Sequence, residues 1–289
     1  MDLSMALERA LDVPVVSMRP LRGGDVAEAY RVDLQGGLRV FAKTHRSAPT
    51  GFFTTEAAGL AWLRAPMVVS VPEVLAVSDG DADTGAPNYL ALEWIDEGST
   101  TRSTDVELGS RLAGLHAAGA PGFGREDRRS TGSRGLPNEP CATWAEFYAT
   151  QRLIPLARLA RDSGAFPASV IADLERVADR LERVGGPPEP PARAHGDLWA
   201  GNRLIDMNGR NWLIDPAAHG GHREFDLAMM RLFGGFGEAC FAAYAQRSPL
   251  ADGWEDRIPL HQIAPLVVHA IKFGGSYVAA ATAAIERYR

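Results

Sequence analysis

HGDLWAGN, His195 to Asn202, is the stretch that decides how the rest of the chain is read. A Pro-rich break, VGGPPEPPAR, precedes it and ends at Arg193. The segment RLIDMNGRNWLIDP follows it and carries Asp215 just before Pro216. A His, an Asp and an Asn therefore share one short loop, and a second Asp closes the next strand. Such a set can orient a hydroxyl group and hold a divalent metal beside a nucleotide. Singly, each residue has an ordinary reading: Asp197 as a turn residue or helix cap, Asn202 as a loop donor, Asp215 as a cap before Pro216. Their joint order, with Lys43 and Glu56 upstream, carries the chemical reading.

Asn208-Gly209 between two apolar runs is a two-residue hairpin signal, and the hairpin is expected to return Asp215 toward Asn202. Beyond it, AAHGGHREFDLAMMRLFGG sets His222, Arg223 and Glu224 in a turn. These three are expected to order the catalytic loop or to line an acceptor pocket. Asp226 begins an apolar helix containing Leu227, Met230 and Leu232, with the methionines filling core. Trp199, like the other tryptophans, reads as core or pocket packing.

Upstream, Leu3, Leu7 and Leu11 have helical spacing. VVSMRPLRGGDVAEAYRVDL then reads as strand, glycine turn and strand, and GLRVFAKTH as a third strand. Its alternation puts Val40 and Ala42 on one face, Phe41 and Lys43 on the other. Gly23-Gly24 would let backbone N–H groups approach a phosphate, although no Walker A pattern is present. Lys43 on a third strand, followed by Glu56 in the helix FFTTEAAGLAWLRA, matches the pairing of a phosphate-binding Lys with a helix carboxylate. Two surface charges are the ordinary alternative. Two more strands, VSVPEVLAVSDG and YLALEWI, flank an exposed connection, DGDADTGAPN. A nucleotide base is expected to meet backbone groups of Glu93, Trp94 and Ile95.

After Ile95 the chain breaks into DEGST and becomes helical. Helices are expected over 103–118, 143–160 with a kink at Pro155, 168–184 and 238–246, and over a last stretch divided by Pro259 and Pro265. His116 and His269 read as structural histidines. Residues 119–140 form a polar loop, either a substrate lid or a variable excursion. The fold class is therefore α+β, a two-lobed protein-kinase-like fold with a small β-rich N-lobe over 1–95 and a larger helical C-lobe over 96–289. The net charge of −6 disfavours nucleic acid as a partner. Two cysteines form neither a metal pair nor a disulfide framework. Without a signal-peptide run or a bilayer-length apolar stretch, a cytoplasmic location and no membrane partner are expected.

The ordered set resembles the fructosamine kinases, or ketosamine kinases, of the protein-kinase-like and aminoglycoside-phosphotransferase-like group. HGD followed by Asn would fit aminoglycoside or choline kinases equally well. The Trp of HGDLW, IDPA at 214–217 and GHREFDLAMMRLFGGF at 221–236 favour the fructosamine kinase branch. HGGHRE stands where some members have YGHRE, which bears on acceptor preference, and no Cys lies near Gly23.

The resemblance implies ATP-dependent phosphorylation of a ketoamine sugar (fructosamine, ribulosamine or erythrulosamine) at its 3-hydroxyl, in deglycation. The sugar would be carried on small amines or protein lysines. In that frame Asp197 accepts the hydroxyl proton, Asn202 and Asp215 hold Mg²⁺, Lys43 offsets phosphate charge, Glu56 fixes Lys43, and Gly23 and Gly24 cover the phosphates. His195 braces the loop, and Asp226 supports its backbone rather than binding metal. A monomer or weak homo-oligomer is expected. The alternatives are a kinase for another small alcohol, such as an aminoglycoside or amino alcohol, and a nucleotide-binding pseudokinase; the complete residue set argues against the latter.

Overall fold

The described part of the first hundred residues forms a sheet of five strands with two helices. The computed structural model describes residues 2–21, 27–81, 85–127, 130–131 and 135–289. Helix α1 (Leu3–Leu11) leads into β1 (Val15–Leu21), β2 (Glu28–Leu34) and β3 (Arg39–Thr44); α2 (Phe52–Arg64) follows, then β4 (Val74–Asp81) and β5 (Ala86–Glu93). The strands form one antiparallel sheet in the order β1-β2-β3-β5-β4. Val32, Leu34, Val40 and Ala42 are buried with Ala6 and Leu7 of α1, so one face of the sheet is covered by that helix. Lys43, one residue on from Ala42, projects from the opposite face. Strands β4 and β5 run further into the expected connection than its turn-forming residues suggested, to Asp81 and from Ala86.

Downstream come α3 (Arg102–Ala117), the short pair β6 (Ser130–Thr131) and β7 (Leu136–Pro137), α4 (Trp144–Tyr148) and α5 (Ile154–Asp162). Then follow α6 (Ala168–Asp179), α7 (Leu181–Val184), β8 (Ala192–Ala194), β9 (Arg203–Ile205), β10 (Asn211–Leu213) and β11 (His219–Gly221). Helices α8 (Arg223–Phe233), α9 (Glu238–Arg247), α10 (Trp254–Phe273) and α11 (Ser276–Glu286) complete the chain.

The chain divides into two compact units: residues 1–100 with 204–216, and residues 101–203 with 217–289. The β9–β10 hairpin joins the first unit through backbone bonds: Gly98 N–H to Ile205 O at 2.7 Å, Met207 N–H to Asp96 O at 3.2 Å and Leu213 N–H to Ser70 O at 2.9 Å. Its turn also differs from the two-residue form. Asp206 N–H donates to Arg210 O, and the Asp206 carboxylate accepts from Asn208 and Arg210 N–H. Gly209 takes φ +79°, so the connection is a three-residue loop with its glycine in the left-handed position.

Prolines act differently from expectation in the helical unit. Ahead of Pro155, residues Ala149–Leu153 form one π turn rather than a simple kink; a proline has no N–H to donate four residues back, and the wider turn absorbs the gap. Helix α10 runs unbroken through Pro259 and Pro265. At Pro265 the stranded carbonyl is that of His261. The buried Tyr148 hydroxyl lies 3.0 Å from Leu260 O and 3.1 Å from His261 O, and accepts from Ala264 N–H at 3.2 Å. Tyr148 thus fills the gap in the helix's own hydrogen bonding. The surrounding core includes Trp144, Phe147, Phe225, Leu260 and Val267.

Candidate active site

In the first unit, Lys43 Nζ lies 2.6 Å from Glu56 Oε2 and 2.6 Å from Asp215 Oδ1. Helix α2 carries Glu56, and its start is held from β4. Gly51 at the N-cap has no side chain, and Asp79 accepts instead from Phe53 N–H, Thr54 N–H and the Thr54 hydroxyl. Burial by itself would lower the Lys43 pKa, but the Glu56 and Asp215 carboxylates outweigh it and hold Lys43 charged. Burial pushes Glu56 up to about 7; Lys43 pulls it down and Asp215 adds to the rise. Asp215 sits at φ +52°, a conformation that non-glycine residues adopt at some cost and that clusters at functional sites. Its side chain is 47% exposed, against 10% for Lys43, so it is the member of the trio that faces outward.

Gly23 and Gly24 lie outside the described residues. At the end of β5, Glu93 N–H donates to Glu73 O at 2.9 Å. Trp94 Nε1 donates to Asp96, beneath the Arg31 and Arg39 guanidinium groups, and Ile95 is buried.

In the second unit, the loop is built on one buried carboxylate. Asp226 Oδ2 accepts from His195 N–H at 2.7 Å, and Oδ1 from Gly196 N–H at 2.9 Å. His116 Nε2 lies 3.1 Å from Oδ2, and its Nδ1 lies 2.8 Å from the Tyr244 hydroxyl. Burial opposes the charge on Asp226, but these donors keep its pKa below the ordinary value. Gly196 has φ +81°, and a Cβ there would collide with the Ala217 carbonyl. His195 Nδ1 accepts from Asp197 N–H at 3.2 Å, which braces the loop from inside. Asn202 Nδ2 donates to Asp197 O at 2.8 Å and to Asp197 Oδ2 at 3.2 Å. That bond fixes the orientation of the amide relative to the carboxylate.

The other expected loop residues have internal duties. His222 caps α8. Arg223 pairs with Glu189 through two bonds and reaches Ser248. Both Glu224 oxygens accept from Arg257, at 2.6 and 2.8 Å, and Oε2 lies 3.3 Å from His261. Burial opposes ionisation of Glu224, yet Arg257 and His261 hold its pKa down to about 2. His222, Glu224 and His261 converge with metal-like spacing, but the Arg257 cation already occupies the carboxylate. His219 is buried and stacked on Phe147, so its place in HGGHRE is a core position. His269 is only half-buried. Around 119–140, Phe123 is core, Gly124 pairs with Gly220, and Arg152 bonds Asn138 and Pro137 O, so both ends of that segment are tied down.

Two supports carried no sequence signal. Arg203, leaving the Asn202 turn, pairs with Asp105 at 2.7 Å, and Asp105 also accepts from Gly237 N–H. Asp79 is the other. Each acts across a large sequence separation that no local pattern marks.

The family model described as fructosamine kinase matches residues 3–289. A protein of Enterococcus faecium named probable ketoamine kinase is 35% identical over 259 residues, covering 89% of this chain and 90% of that protein. The chloroplastic protein-ribulosamine 3-kinase of Arabidopsis thaliana is 34% identical over 271 residues, covering 91% and 79%. A crystal structure of a candidate fructosamine-3-kinase from Thermobifida fusca superposes with a TM-score of 0.90 at 38% identity, covering 99% and 98%.

Proposed function

The chain belongs to the fructosamine kinase family, ATP-dependent enzymes of ketoamine phosphorylation, and we propose that it transfers the ATP γ-phosphate to the 3-hydroxyl of a ketoamine sugar with Asp197 as proton acceptor. The observation that carries the residue assignment is the loop itself. Asp226 holds the backbone of His195 and Gly196, and Asn202 orients Asp197.

The acceptor oxygen attacks the γ-phosphorus while its proton passes to Asp197; the bond to the β-phosphate oxygen breaks and ADP leaves. Orientation is the larger part of the task in phosphoryl transfer, so a rigidly held carboxylate suffices. Lys43, kept charged by Glu56, offers a cation to the phosphates. Asn202 and Asp215 provide an amide and a carboxylate oxygen, hard donors that fit Mg²⁺. The outward-facing Asp215 carboxylate suits that role better than Asp226, whose oxygens are committed to backbone N–H groups and His116. Bound there, Mg²⁺ would neutralise charge on the phosphate oxygens. A base at the end of β5 would meet backbone groups of Glu93, Trp94 and Ile95 other than the Glu93 N–H, which donates to Glu73 O.

The test is an ATP-consumption screen over ribulose, erythrulose and fructose adducts of simple amines, with products identified by mass and by phosphorus NMR. A 3-phosphate from any of these ketoamines is the expected result. Turnover with amino alcohols or aminoglycosides, and none with ketoamines, would transfer the assignment to another small-alcohol kinase.

A further inference from the structure

In the first unit, the segment expected to meet the base is held by a surface ion pair that the reaction itself does not use. Alternation along β3 puts Arg39, Phe41 and Lys43 on one face of the sheet, with Val40 and Ala42 buried on the other. Four residues of extended strand separate Arg39 from Lys43 by about 13 Å, so a nucleotide whose phosphates meet Lys43 would bring its base toward the Arg39 end. There β3 pairs with β5, Val40 opposite Glu93, and Trp94 and Asp96 lie just beyond. Arg39 bonds both oxygens of the Asp96 carboxylate, each at 2.6 Å. Trp94 Nε1–H donates to the same carboxylate at 3.0 Å. The Arg39 and Arg31 guanidinium groups lie 6.0 and 5.6 Å from the Trp94 ring centre, and Arg31 is in turn held by Asp33.

On its other side the same segment is tied to the β9–β10 hairpin. Asp96 O accepts from Met207 N–H at 3.2 Å, and Gly98 N–H donates to Ile205 O at 2.7 Å. The hairpin thus holds the backbone at 96 and 98, while Arg39 holds the Asp96 carboxylate and, through it, the Trp94 indole. The Arg39 and Asp96 side chains are 36% and 53% exposed, and a pair so open to water adds little to stability. Its effect is geometric. A planar guanidinium fork meeting a carboxylate at two points fixes orientation as well as distance. What it orients is the peptide run at 94–96, which carries backbone groups that a base would meet. Were that segment loosened, nucleotide binding would have to order it, and the ordering would weaken affinity.

Resting on the reading that the base meets residues 93–95, we infer that Arg39 is a positioning residue for the nucleotide: its pair with Asp96 sets the backbone of Trp94 and Ile95 for the base. Arg39→Ala should raise the KM for ATP about tenfold and leave kcat within about twofold. Calorimetry with adenosine and with inorganic tripolyphosphate separates positioning from simple loss of a cation. The variant should bind adenosine about tenfold more weakly, and tripolyphosphate as the wild type does. Lysine cannot form the two-point fork, so Arg39→Lys should keep most of the defect. Exchanging the charges, Arg39→Asp with Asp96→Arg, should restore part of the adenosine affinity. Equal weakening of adenosine and tripolyphosphate would point to a long-range charge or folding effect and overturn the inference, as would unchanged adenosine binding. Adenosine binding needs no acceptor. If it falls in Arg39→Ala while no ketoamine is phosphorylated, the positioning role stands and the phosphoryl-transfer reading alone fails.

Discussion

At the scale of single residues, the loop separates two roles that look alike in sequence. Asp226, in α8, is buried under backbone donors and His116, whereas Asp197, in the loop, is bonded by Asn202 at its carboxylate and by His195 at its backbone N–H. Asp197→Asn keeps the shape and removes the proton acceptor. We expect kcat to fall by about 10²–10⁴, with the ATP dissociation constant almost unchanged. Near-normal turnover by the folded variant would remove Asp197 from that role. His219 supplies a pH prediction. Burial, reinforced by the nearby Arg152 charge, lowers its pKa from 6.5 to about 3. The unfolded chain therefore binds a proton at this position, between those values, that the folded chain does not. Its contribution to stability is complete above 6.5 and is lost as the pH falls toward 3. His219→Phe should make the unfolding free energy fall less steeply as the pH drops from about 6 to about 4. Urea titrations at several pH values measure this, and an unchanged slope would mean that His219 titrates as in water.

At the scale of elements, periodicity located the helices and strands, and the prolines were where it misread them. Pro259 and Pro265 look like breaks, yet α10 is continuous because a partner 116 positions from Ala264 repairs its hydrogen bonding. Tyr148→Phe leaves the aromatic packing in place and removes that hydroxyl. Buried groups of Ala264 and His261 would lose their partner, so a loss of about 1–3 kcal/mol is expected from urea unfolding. A loss near zero would show that α10 tolerates Pro265 unaided. Likewise, α2 has no cap in its own sequence at Gly51 and takes one from Asp79 on β4, which the local pattern around Glu56 could not reveal.

For the whole molecule, the division of the chain is the point at which local reading stops. The change from strands to helices near Ile95 is visible along the sequence, but the hairpin containing Asp206 is counted with the first unit by its backbone bonds to Asp96, Gly98 and Ser70. Asp215 thereby joins Lys43 and Glu56 in one unit, while Asp197 and Asn202 belong to the other. Ligand linkage tests the proposed metal role of Asp215. A nucleotide analogue at a hundred times its dissociation constant adds about 2.7 kcal/mol to the stability of what it binds. Part of the thermal shift in the wild type should require Mg²⁺, and Asp215→Ala should lose that part while retaining a metal-independent shift. Full retention of the Mg²⁺-dependent increment would show that Asp215 is not a ligand.

The sequence by itself determined the α+β class, the loop from His195 to Asn202, and the strand Lys43 with its helix Glu56. Strand alternation, helical spacing and a dense motif are all written within a few turns of chain. Only the tertiary structure decided that Lys43 bridges Glu56 and Asp215, that Asp79 caps α2 from β4, and that Tyr148 carries α10 through Pro265. Those bonds join residues far apart in the chain, and a buried polar group takes whichever partner packing delivers to it; the identity of that partner is a property of the fold.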